Sequence, residues 1–126
     1  MPLRTVLVIN ALIALIFAIG FLAAPAQLLN AYGVVLPAGG ILLARLFGAA
    51  LVQIGLLAWG ARRLPDAATL RVIALAYFVG SAVGLVCMVL GQLAGVVNSL
   101  GWLSVAIYVF LTAGYGYTQF KKPGVA

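Results

Sequence analysis

Arg45 is the residue whose type and place most suggest chemistry. It stands in Leu42-Leu43-Ala44-Arg45-Leu46-Phe47-Gly48, the one charge inside a long apolar run. A charge at the centre of a lipid core costs about 2.5–3.5 kcal/mol on insertion scales, and less near an interface. Such a residue either snorkels to the headgroups or faces a bundle and holds an anion or polar partner. The amides that could join it are Gln27, Asn30, Gln92 and Asn98, which interrupt apolar runs, and Gln53, which lies inside one. The expected ligand-binding set is therefore Arg45, Gln53, Gln92 and Asn98. Asn10 and Gln53 are expected to be buried, where an interhelical amide bond contributes about 0.6 and at most roughly 2 kcal/mol.

Much other chemistry is excluded. The chain has no His, a single acid, Asp66, and a single Cys, Cys87. A His-centred triad, a carboxylate pair, a His or thiolate metal cluster and His ligation of haem cannot be assembled within one copy. No catalytic residue, metal or cofactor is expected. In Leu64-Pro65-Asp66-Ala67-Ala68, Asp66 reads as the N-cap of a helix, close enough to Arg62, Arg63 and Arg71 for a surface ion pair. Cys87, among apolar neighbours, reads as an inert thiol.

The elements that must position these residues follow from composition. Of 126 residues, 67% are apolar and 6% charged, far from a soluble domain. Residues 72 to 120 carry no charge. As one helix they would span roughly 73 Å, more than twice the ~30 Å hydrocarbon core, so they must fold back. The break is expected between Gly91 and Gly101. An earlier break is expected from Pro25 to Gly40. Spans near 3–24, 40–61, 69–91 and 99–120 result, giving one domain over residues 1–126: an all-α, four-helix up-down membrane bundle. Only helices satisfy their own backbone groups in lipid without a barrel, and no barrel alternation is present. The run from Val6 to Ala24 is longer than the apolar core of a signal peptide and reads as a span. Residues Pro25 to Tyr32 fit either a short interfacial helix, with Pro25 in its first turn and Gly33 past its end, or an irregular loop.

Charge placement predicts orientation. Arg4, Arg62, Arg63, Arg71, Lys121 and Lys122 all fall on one side of a four-span arrangement. By the positive-inside rule both termini are expected to be cytoplasmic. The net charge of +6 thus serves topology and anionic lipid heads rather than nucleic acid. Trp59, Tyr115, Tyr117 and Phe120 are expected in an inner aromatic belt, and Tyr32 and Trp102 in an outer one. Small residues predict close helix packing at Gly48, Gly55, Gly80 and Gly84, the last two in Gly80-Ser81-Ala82-Val83-Gly84.

The motifs Ala24-Pro25, Leu28-Leu29, Tyr32-Gly33-Val34, Ala44-Arg45-Leu46-Phe47-Gly48-Ala49, Trp59-Gly60-Ala61-Arg62 and Gly95-Val96-Val97-Asn98, with Gly101-Trp102, carry a resemblance. The chain resembles small bacterial four-helix integral membrane proteins of unknown function along nearly its whole length. That resemblance implies fold and location in a bacterial inner membrane and supplies no catalytic residues. The functional expectation is a non-catalytic membrane protein, an interaction or scaffold subunit of a homo-oligomer or of an assembly with other membrane proteins. The alternative is a small carrier or binder of a lipid, quinone-like molecule or anion that uses Arg45.

Overall fold

The computed structural model describes residues 2–119 and is all-helical over them: α1 (Leu3–Ala23), α2 (Pro25–Ala31), α3 (Ala38–Ala61), α4 (Ala67–Leu93) and α5 (Gly101–Gln119). Three of these, α1, α3 and α4, are long and apolar enough to cross a membrane, by length and composition. They mark the chain as a membrane protein. Phe120, Lys121 and Lys122 lie outside the described residues.

Local chemistry sets the helix ends. Pro25 opens α2, where its missing N–H costs nothing. Of the two readings of this segment, the helix is the one observed. Two residues past the end of α2 stands Gly33 at φ +79°, and two past the end of α4 stands Gly95 at φ +76°. In each case the amide after the glycine reaches back five residues, Val34 to the Leu29 carbonyl and Val96 to the Gly91 carbonyl. This closure needs a left-handed residue, which glycine adopts without strain. α4 continues through Gln92 and Leu93, two residues past the expected end of its span. Asp66 caps α4 by accepting the Ala68 amide and the Thr69 hydroxyl.

The packing inverts that of a water-soluble protein. α1 buries Val6, Leu7, Asn10, Ala11, Ala14 and Ala18, one stripe at helical spacing, while Leu12, Ile16 and Ile19 are exposed. α3 buries Ala44, Gly48, Gly55, Ala58 and Ala61 and exposes Leu42, Leu43, Leu46, Leu56 and Leu57. Lipid solvates large aliphatic side chains as well as a protein interior does, so they can stay outside. Small residues go inside because close backbone approach recovers dispersion contacts.

Two helical pairs result, α1 against α3 and α4 against α5. They join at one end through Val6, Leu7 and Ala11 of α1, Ala58 and Ala61 of α3, Ala74 of α4, and Leu111 and Tyr115 of α5. The first turns of α1 thereby meet the last turns of α3 and α5. At the opposite end, the loop after α4 is tied to the end of α2. Between these two joints the pairs stand apart.

Candidate functional site

The space between the pairs is a cavity of about 580 Å³. This is within the 300–1,000 Å³ range of small-molecule sites. Its apolar wall includes Ile13, Phe17 and Phe21 from α1, Phe47 and Leu51 from α3, Met88 from α4 and Ile107 from α5. From Asn10 to Phe21 the α1 wall runs about 16 Å, at about 1.5 Å per residue. Phe21 and Phe47 meet edge to face, centroids 5.0 Å apart, which couples α1 to α3 at this wall. Among the described residues the polar lining consists of Asn10, Tyr32, Tyr77, Ser81, Ser104 and Tyr108, and none of those lining the cavity is charged.

The end nearer the core is held by hydrogen bonds that helical periodicity lines up. Asn10 Nδ2 donates to the Tyr115 hydroxyl at 2.7 Å. Tyr77 stacks on Tyr115 with centroids 5.2 Å apart, and its hydroxyl donates to the Ile54 carbonyl at 2.7 Å. One chain of contacts thus links α1, α5, α4 and α3. Tyr115 is fully buried, so it is a core residue and not part of an inner aromatic belt. Trp59, with the Arg62 guanidinium 3.9 Å above its ring, and Tyr117 are exposed as a belt requires.

The other end is a strap. Asn98 donates its backbone amide to the Tyr32 carbonyl at 2.8 Å and its side-chain Nδ2 to the Ala31 carbonyl at 3.1 Å. Asn98 Oδ1 accepts the Leu100 amide, and Gln92 Nε2 donates to the Asn98 carbonyl. Beneath the strap the Tyr32 and Ser104 hydroxyls share a hydrogen bond of 2.9 Å. Tyr32 is buried by this contact rather than lying in an outer belt; Trp102 is exposed.

The expected ligand set therefore divides. Gln92 and Asn98 come together, but on each other and on backbone carbonyls of the strap. Arg45 and Gln53 are exposed on α3 and do not line the cavity. Gln53 is thus not a buried amide, whereas Asn10 is. Cys87 lies exposed on α4.

The glycines divide as well. A Cβ at Gly48 would press on Phe21 and Leu22, at Gly55 on Leu15, and at Gly84 on the Tyr108 ring. A Cβ at Gly80 would meet nothing within 4 Å, because Gly80 lines the cavity instead of a helix contact.

Sequence reasoning missed Tyr77, Ser81, Ser104 and Tyr108. The signal was there in their spacing. Ser104, Tyr108 and Tyr115 fall on one face of α5, and Tyr77 and Ser81 one turn apart on α4. Known proteins add nothing to this geometry: no protein-family model, curated protein or solved structure matches the chain.

Proposed function

We propose that this chain is a four-span integral membrane protein that binds an apolar small molecule between its two helical pairs. The observation that carries the reading is the aromatic-lined cavity of about 580 Å³, whose polar groups are few and neutral. In this reading α5 is the fourth span. Its 19 residues measure about 28 Å, close to the hydrocarbon thickness. Ser104, Tyr108 and Tyr115 turn toward the cavity or core, and Trp102, Leu103 and Val109 turn out. The helices then run up and down in a bacterial inner membrane. The basic residues Arg4, Arg62, Arg63, Arg71, Lys121 and Lys122 keep both termini in the cytoplasm.

The test is extraction from native membranes in a mild detergent, followed by native mass spectrometry and lipid analysis of the purified chain. A neutral apolar molecule enriched over its share of the membrane is the expected result. Retention of bulk phospholipid alone, in membrane proportions, would refute the reading.

A second reading is an interaction subunit of a membrane assembly. It draws support from α4, where Val72, Leu75, Val79, Val83, Val86 and Leu90 are all exposed. Blue-native electrophoresis distinguishes it: a species well above one chain supports an assembly, and a monomer in several gentle detergents opposes it.

A further inference from the structure

The polar groups along the cavity wall are of two kinds. Asn10, Tyr77, Tyr32 and Ser104 hold hydrogen bonds that build the fold. Ser81 and Tyr108 do not. Among the described residues neither hydroxyl has a hydrogen-bond partner, and both residues line the cavity. Ser81 is 8% exposed. A hydroxyl left without a partner in an apolar setting costs about 1–3 kcal/mol.

The two residues share one wall. Tyr108 of α5 lies with its ring against Gly84 of α4, where a Cβ would collide with the hydroxyl-bearing edge. Ser81 is three residues earlier on α4, on the neighbouring turn. Glycine at position 84 therefore lets the phenol rest close to the α4 backbone, one turn along the cavity wall from the serine. Gly80 borders the same wall with open space before it.

We infer that Ser81 and Tyr108 donate to the carbonyl oxygens of a neutral, flat, quinone-like ring whose apolar tail lies along Phe17 and Phe21. This inference rests on the proposed binding function and names the ligand class and its contacts. A quinone carries more than one carbonyl oxygen, each an acceptor with two lone pairs, so each hydroxyl has an acceptor on the same ring. The phenol is the stronger donor of the two, and Phe47 and Tyr77 supply faces and edges for a conjugated ring. A carboxylate, phosphate or ammonium head is disfavoured, because among the described residues no charged side chain is present in the lining to offset its desolvation.

The experiment uses the full chain in lipid nanodiscs, titrated with decylubiquinone, decylcyclohexane and palmitate and read by native mass spectrometry. Decylubiquinone should bind in one copy and more tightly than decylcyclohexane, with palmitate unable to displace it. Ser81→Ala and Tyr108→Phe should each weaken decylubiquinone about fivefold, the equivalent of one ordinary hydrogen bond, and leave decylcyclohexane unchanged. Tyr108→Phe keeps the ring over Gly84, so the packing persists. Equal binding of the quinone and the hydrocarbon, displacement by palmitate, or unaltered quinone affinity in both variants would overturn the ligand class and spare the binding function. No binding of any probe would remove both.

Discussion

Asn10 and Tyr115 stand 105 residues apart in sequence, and their side chains meet at 2.7 Å in the core that joins the two helical pairs. The amide donates and the phenol oxygen accepts. Tyr115 also carries the stacked ring of Tyr77, so this one hydrogen bond orients residues of three helices.

Tyr115→Phe should retain the stack and lose the acceptor, leaving the Asn10 amide short of a partner. The expected loss is about 1 kcal/mol, near the upper part of the range for hydrogen bonds between membrane helices. Tyr115→Ala removes the ring as well and should cost about 3–5 kcal/mol. Titration with SDS from a mild detergent, followed by far-ultraviolet circular dichroism, measures both. Equal stability of Tyr115→Phe and the unaltered chain would show that the bond contributes nothing net.

Gly55 and Gly80 make a matched pair, both within apolar helices. A Cβ at Gly55 would lie 2.6 Å from Leu15 Cγ and 3.4 Å from the Ala11 carbonyl, whereas at Gly80 it meets nothing within 4 Å. Gly55→Ala should therefore force α1 and α3 apart and cost about 1–3 kcal/mol. Gly80→Ala should be neutral or slightly stabilising, since Ala exceeds Gly in helix propensity by up to about 1 kcal/mol. The same unfolding titration decides the order, and a Gly80→Ala penalty as large as that of Gly55→Ala would place a helix against Gly80.

These contrasts bear on what the sequence made legible. The helices followed from where charges, Pro25, Gly33 and Asp66 interrupt the apolar runs, because lipid leaves the backbone no alternative to helix. Which way each face turns was harder to read. Asn10 and Gln53 are both amides in apolar surroundings, yet Asn10 is buried and Gln53 exposed. In a soluble helix the polar face would betray the orientation, but here the lipid-facing and inward-facing residues are both apolar. The cavity itself depends on how far the α1–α3 and α4–α5 pairs stand apart. That separation comes from the sizes of contacting side chains and leaves no mark in hydropathy. Only the recurrence of Ser and Tyr at helical spacing, at 77 and 81 and at 104 and 108, pointed to it.

Asp66 sets the acid sensitivity of the loop before α4. Its carboxyl is held below the usual value of 3.8, first by the Thr69 hydroxyl and then by the Ala68 amide, against a smaller opposing effect of desolvation. A lowered folded-state value means that the carboxylate stabilises the cap above pH 3.8 and ceases to as pH falls through the lower folded value. Asp66 is the sole Asp or Glu in the chain. Asp66→Asn retains a good capping side chain, so stability at neutral pH should change little while the loss below pH 4 becomes shallower. Unfolding followed from pH 7 down to about pH 2.5 tests this, and identical acid profiles for the two proteins would contradict it.

Asn98 holds the strap through two side-chain bonds, to the Ala31 carbonyl and from the Leu100 amide. Asn98→Ala should free the α4–α5 loop from α2 while leaving the core around Tyr115 intact. Because the site is exposed, water replaces part of what is lost, and the expected cost is about 0.5–1.5 kcal/mol. Hydrogen exchange should show faster labelling at residues 94–100 and at Tyr32 to Val34, with unchanged protection near Ala58 and Leu111. Uniformly faster exchange would mean that the strap supports the whole fold.

Arg45 separates the cavity from an anion site. It is exposed on α3, seven residues after Ala38 and so about 10 Å into the helix, a depth from which a long side chain can reach the headgroups. The cavity lining does not include it. Arg45→Leu should thus leave binding of a neutral apolar probe unchanged and ease insertion of α3, since the charged side chain is the costly one in lipid. Decylubiquinone titration of the variant in nanodiscs measures the first effect and a glycosylation-based insertion assay the second. A large loss of binding would mean that Arg45 turns inward when ligand is held, and that charge does take part in recognition.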